Sequence, residues 1–332
     1  MKTNNKFPGL IEAFFTDRLM RQRQVSPNTI TSYRDSFCLL FKFAKQRLNK
    51  EPSNLSIDDL DAPFIGSFLN HIEKDRGNCA RSRNVRLAAI HSFFKYIALQ
   101  DPSHSALIQR VLAIPAKRYD LKPIDFLTKP EIEALLAAPD QSTWSGRRDS
   151  ALLHLAIQAG LRVSELTGLA CKDIVLDSGA HVRCTGKGRK DRCTPLHKKL
   201  VPILRSWLRE RSGHPDDPLF PNSRGGFLSR DGVAYLVAKH VAVASQKAPS
   251  IQKKRVSPHV LRHTSAMELL QHGVDITVIA LWLGHESTET TQVYVQANLK
   301  MKEKALAKTT PVNVRQTRYQ PGDKLLAFLK SL

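Results

Sequence analysis

Arg162, Lys187, His259, Arg262, His285 and Tyr294 are the side chains in this sequence whose types, taken together, could do chemistry. That chemistry is displacement at a phosphodiester without a metal. Negative charge gathers on the non-bridging oxygens of the transition state, and without Mg²⁺ fixed cations must stabilise it. Guanidinium forks suit the task because each can bond two oxygens. A nucleophile must attack, and an acid must protonate the departing sugar oxygen. Singly, the residues have plainer readings: Arg162 with Glu165 is a surface ion pair, and Tyr294 is a half-buried aromatic. The full set is what metal-free phosphoryl transfer requires.

Short motifs must position these groups. In Gly160-Leu161-Arg162-Val163-Ser164-Glu165-Leu166 a helix would make Arg162 and Glu165 neighbours at i and i+3, so that the acid orients the guanidinium. In Thr185-Gly186-Lys187-Gly188-Arg189-Lys190-Asp191-Arg192 glycines flank a lysine at a hairpin tip. Its G-x-G lacks the third glycine and the βαβ context of a dinucleotide site. Ser257-Pro258 predicts a helix start, with His259 and Arg262 on one face close to free N–H groups and the positive dipole end. His263 is expected to point elsewhere, as a packed structural histidine. Gly284 predicts the end of the helix holding Val278, Ile279, Leu281 and Trp282, which leaves His285 on the following loop.

Further back stand the elements. From about Phe7 to Ile114 apolar residues recur at helical spacing, as in Phe64, Phe68, Leu69 and Ile72, and predict a bundle of four or five helices. The periodicity breaks between Pro102 and Pro123, which reads as an extended basic connection. Thr128 and Glu131 predict a capping box that opens a second, mostly helical region with a hairpin near 174–197. The expected class is mainly α with a small β-sheet.

Lys and Arg number 51 against 30 Asp and Glu, a net charge of +21, which favours a polyanionic partner through counterion release. The basic residues are spread along the chain, so a large electropositive face is expected. No apolar run is long enough to span a bilayer and no secretory signal is visible, which makes the cytoplasm the default. Five loosely spaced cysteines argue against a disulfide framework. His181, Cys184, Cys193 and His197 superficially resemble a zinc set, but they fit two strands of a hairpin better, and no metal is expected. A metal-dependent nuclease would need clustered carboxylates, whereas Asp149, Glu165 and Asp173 do not cluster in the sequence.

The order Arg162, Lys187, His259-x-x-Arg262, His285, Tyr294 closely resembles the tyrosine recombinase (phage integrase) family, especially its Xer-like and transposon-linked branch. The strings GLRVSEL, GKGRKDR, HVLRHT and LGH carry the resemblance. It implies a SAM-like helical core-binding domain at 1–114, a linker at 115–125, a catalytic domain at 126–308 and a C-terminal tail at 309–332. The two domains would close as a C-shaped clamp on DNA, without an additional arm-binding domain. Tyr294 would attack the phosphate to give a 3′-phosphotyrosyl link, and Arg162 and Arg262 would clamp the non-bridging oxygens. His259 would accept the tyrosine proton, Lys187 would protonate the 5′-oxygen, His285 would bond the phosphate and Glu165 would hold the geometry.

No cofactor is implied, since the covalent link conserves the bond energy. The implied partners are double-stranded recombination sites, a homotetramer exchanging strands through a Holliday junction, and companion recombinases. Arg81, Arg83, Arg86, Lys117, Arg118, Arg189 and Lys190 are candidate DNA contacts. The tail's Leu325, Leu326, Phe328, Leu329 and Leu332 need a surface to dock on, in cis or on the next protomer. A catalytically silent DNA-binding protein on the same fold is the rival reading, and it would lack part of the catalytic set. Integration, excision and resolution of a mobile element or replicon remain alternatives, with the tail and the basic excess favouring a mobile element.

Overall fold

The computed structural model describes residues 7–120, 124–185 and 191–284, together with Thr291 and Tyr294. The chain divides between residues 122 and 123 into two compact units. Both are helical, and the second adds a three-stranded sheet.

In the first unit α1 (Phe7–Ala13) runs on as a π-helical stretch (Phe14–Gln22), followed by α2 (Pro27–Leu48), α3 (Ala62–Lys74), α4 (Ala80–Ile97) and α5 (Ser105–Leu112). Polar caps set the starts: Ser26 accepts the Thr29 N–H ahead of Pro27, and Asp61 accepts that of Phe64. The predicted stripes face inward, with Phe68, Leu69, Ile72, Leu87, Ile90, Phe93, Phe94 and Ile97 all buried. Phe14 sits at the centre, edge-on to Phe37 and Phe93. The predicted break at Pro102 needs correcting. α5 lies beyond it and buries Ile108 and Val111 in the same core. An eight-residue helix with two inward positions is too short to show a periodic stripe.

The second unit contains α6 (Lys129–Leu136), α7 (Trp144–Ala159), α8 (Val163–Thr167), β1 (Ile174–Val175), β2 (His181–Thr185) and β3 (Asp191–Pro195). α9 (Leu200–Arg211), α10 (Arg230–Ala244), α11 (Pro258–Gln271) and α12 (Ile276–Leu283) follow. α7 is the central helix: Ala151, Leu152, Leu153, Leu155 and Ala159 are all buried, and it packs on α9 and α11. Inside this core Asp149 bonds Nε2 of His240 at 2.9 Å, which ties α7 to α10. Thr264 of α11 accepts the Leu127 N–H through its hydroxyl at 2.9 Å, and Lys254 donates to the Phe126 carbonyl at 2.8 Å. These bonds hold the start of the unit against the helix that carries His259 and Arg262.

The sheet is antiparallel in the order β1-β2-β3, with Arg183 opposite Cys193 and Cys184 opposite Arg192. Strand alternation therefore sends Cys184 into the core and leaves Cys193 exposed. The zinc-like set is split between the two faces. Among the described residues no cluster of three or more His, Cys, Asp or Glu is placed to hold a metal. Among the same residues no helix is long and apolar enough to cross a membrane.

Candidate active site

Arg162 does not lie inside a helix, as the i, i+3 reading expected; it is the extended N-cap residue of α8. Glu165 still reaches it, because a carboxylate at the third helical position folds back on the cap. It accepts the Arg162 backbone N–H at 2.7 Å and Nη1 at 2.9 Å. Arg162 Nη2 donates to the Gly284 carbonyl at 2.7 Å. Glu165 is buried and takes a second guanidinium: Arg192 Nη1 and Nη2 approach its two oxygens at 2.7 and 2.9 Å. Burial alone would raise the Glu165 carboxyl, but the Arg192 and Arg162 bonds outweigh it and hold the group below the usual carboxylate range.

Arg192 is the site residue that sequence reasoning missed. It lies within the GKGRKDR string, but nothing local marks it apart from Arg189 or Lys190. Only the strand register and the fold bring it to Glu165. A Cβ on Gly284 would come within 2.7 Å of Arg192 Nη1, so the guanidinium packs directly under that turn.

Arg262 is buried, with Nη1 on the Gly160 carbonyl and Nη2 on the Leu283 carbonyl, both at 2.7 Å. Gly160 caps the C-terminus of α7 with φ +61°, and Gly284 caps that of α12 with φ +65°. Helix C-termini leave carbonyls unpaired and carry the negative dipole end. Two such ends converge here and supply the carbonyls that fix both arginines. Burial and the neighbouring Arg162 push the Arg262 pKa down to about 10, which leaves it charged near neutrality. Fixed, hydrogen-bonded cations of this kind need little reorganisation to stabilise a phosphorane-like charge.

Tyr294 is buried among Ala266, Met267, Leu270, Ile279 and Leu283. Burial raises its phenol above the usual value, while the charges of Arg262 and Arg162 pull it back. Its hydroxyl lies 2.9 Å from His263 Nδ1. The expectation that His263 points elsewhere is therefore corrected. His259 and His263 are i and i+4 on α11 and share a face, with ring centroids 4.2 Å apart. His259 is exposed at the helix start.

Lys187, Arg189, Lys190 and His285 lie outside the described residues, as does the 309–332 tail. In the first unit Arg81 and Arg118 are exposed. Arg86 bonds the Ser36 hydroxyl at 3.1 Å, and Lys117 pairs with Glu73 at 2.6 Å. Arg83 is buried and donates to the Pro115 carbonyl at 3.3 Å, a bracing engagement within its own unit.

The helical second unit holds Arg162 and Arg262 on helix-end carbonyls and buries Tyr294 near them, an arrangement of cations and hydroxyl suited to phosphoryl transfer. The comparisons with known proteins give the family. Residues 125–301 match the phage integrase family, and residues 11–101 match the phage integrase N-terminal SAM-like domain. A protein of Sinorhizobium fredii bearing the name integrase/recombinase y4rC is 57% identical over 97% of this chain and 97% of its own length. Tyrosine recombinase XerD of Pseudomonas putida is 32% identical over 84% of this chain and 90% of its own. The fold is similar to that of the XerH site-specific recombinase in a post-cleavage complex with its palindromic difH substrate. That match has a TM-score of 0.68 at 23% identity, over 87% of this chain and 82% of the other. The chain belongs to the phage integrase family and is a site-specific tyrosine recombinase.

Proposed function

We propose that this chain cuts and rejoins duplex DNA through a 3′-phosphotyrosyl link on Tyr294, leaving a free 5′-hydroxyl that attacks in the next step. The observation that carries the reading is the buried Tyr294 hydroxyl within electrostatic reach of Arg262 and Arg162. Arg162 and Arg262 hold the non-bridging oxygens, and Glu165 keeps Arg162 in place. A histidine of α11, His259 in the family pattern, takes the tyrosine proton, Lys187 protonates the 5′-oxygen and His285 bonds the phosphate. Two sites and four protomers exchange strands through a Holliday junction in the cytoplasm, with companion recombinases of the same family as further partners. DNA is contacted along its backbone by Arg81, Arg86, Lys117 and Arg118 of the first unit and by Arg189 and Lys190 of the second. The role is integration, excision or resolution of a mobile element or replicon.

The test needs a substrate, which Tyr294→Phe protein can select from random duplexes by binding. A nick beside the cleavage point of the selected duplex then traps the covalent adduct. Wild-type protein should give an adduct stable on a denaturing gel, and Tyr294→Phe should bind equally well and give none. An adduct that persists in the variant would remove Tyr294 from the role of nucleophile.

A further inference from the structure

We propose that His263 rather than His259 takes the proton from Tyr294 as the tyrosine attacks. The proposal rests on the reading of Tyr294 as nucleophile and deepens it. His263 Nδ1 lies 2.9 Å from the hydroxyl, a hydrogen-bonding distance for proton transfer. The two rings meet edge-on, with centroids 5.4 Å apart and planes at 64°. A phenol enclosed by Met267, Leu270, Ile279 and Leu283 cannot lose its proton to bulk water as it reacts. It needs an acceptor in contact, and imidazole is the side chain that exchanges protons near neutrality. His259 packs edge-on against the His263 ring and stands closer to solvent. That position at the N-terminus of α11 suits a hydrogen bond to phosphate better than contact with the tyrosine.

Atoms and charge balance in both directions. Tyr294 Oη forms its bond to phosphorus while its proton passes to His263 Nδ1, with His263 starting as the tautomer protonated on Nε2. The bond from phosphorus to the 5′-oxygen breaks, and that oxygen receives the proton of the acid assigned to Lys187. In rejoining, the 5′-hydroxyl attacks phosphorus and returns its proton to Lys187, the bond from phosphorus to Tyr294 Oη breaks, and His263 gives its proton back to that oxygen. Arg262 and Arg162 lower the cost of the negative oxygen on either path. His263 is thus a catalytic residue in contact with the reacting atom.

Single-turnover adduct formation on the nicked duplex tests this, using an ordinary phosphodiester and one whose 5′-bridging oxygen is sulfur. Sulfur leaves without protonation, so that substrate isolates activation of the nucleophile. His263→Ala should slow adduct formation by about 10²-fold on both substrates. His263→Gln can hold the hydroxyl through its amide oxygen but cannot take the proton, and it should be equally slow while binding DNA normally. His259→Ala should lose less than either. A wild-type rate in His263→Gln would reduce His263 to a holding contact and overturn the proposal. A defect cured by sulfur would place His263 on the leaving-group side and overturn it too. Either result leaves Tyr294 as nucleophile, whose own failure is read separately from the phenylalanine variant.

Discussion

At the scale of single residues, one carboxylate organises the site. Glu165 bonds two guanidiniums and accepts a backbone N–H, so its loss leaves both Arg192 and Arg162 without their shared anion. Breaking a buried charge cluster on one side is costly, about 3 kcal/mol or more, because the remaining charges lose compensation. Arg192→Met should be the more informative change, since it spares the Arg162 contact. It leaves Glu165 half-paired and empties the space beneath Gly284. We expect near-normal DNA binding and a much slower adduct, with Arg192→Lys recovering little because ammonium cannot match the two-oxygen geometry. A gel shift beside a single-turnover cleavage time course measures both, and unchanged cleavage in Arg192→Met would remove Arg192 from the positioning role.

At the scale of elements, helix ends do the placing. The C-termini of α7 and α12 hold the arginines, and the N-terminus of α6 is braced to the segment before α11. That brace is Glu131, which accepts the Thr128 N–H at 2.7 Å, the Ser250 hydroxyl at 2.7 Å and Lys254 Nζ at 2.6 Å. Burial would raise its carboxyl, but the Lys254 ammonium and the other donors hold it at about 2, against 4.5 unperturbed. A folded pKa below the unfolded one stabilises the fold fully above the unfolded value. That contribution fades as pH falls from about 4.5 towards about 2. Urea midpoints measured across this window should drop for the wild type. Glu131→Gln should start lower at neutral pH and lose less on acidification. Parallel pH curves for the two proteins would show that Glu131 contributes nothing to acid sensitivity.

At the scale of the whole molecule, the net charge of +21 makes DNA affinity a function of salt. Removing one cation that neutralises a phosphate should flatten the log–log salt slope by about 0.9. The tail is proposed to bear on assembly. Its Leu325, Leu326, Phe328, Leu329 and Leu332 form too short an apolar stretch to hold a helix alone in water. Seated head-to-tail on the next protomer, it would close a ring. Deleting residues 321–332 should therefore leave single-site binding intact, reduce cooperative assembly on paired sites and abolish full recombination. Undiminished cooperativity in gel shifts, with normal strand exchange, would rule out docking in trans.

The sequence by itself determined what is local. Period and caps announce α2, α3, α4, α6 and α11, because stripe, N-cap and first-turn proline act within a few residues. Motif order likewise singles out Arg162, Arg262 and Tyr294 as candidates, by their side-chain types. Tertiary structure alone decided how they are held. The Gly160, Leu283 and Gly284 carbonyls that fix the arginines are up to 122 residues away in the chain. The partners Glu165 and Arg192 are 27 apart, and His263 and Tyr294 are 31 apart. No local propensity encodes such pairs, because each forms only when packing around α7 brings two helix ends and a strand to one point.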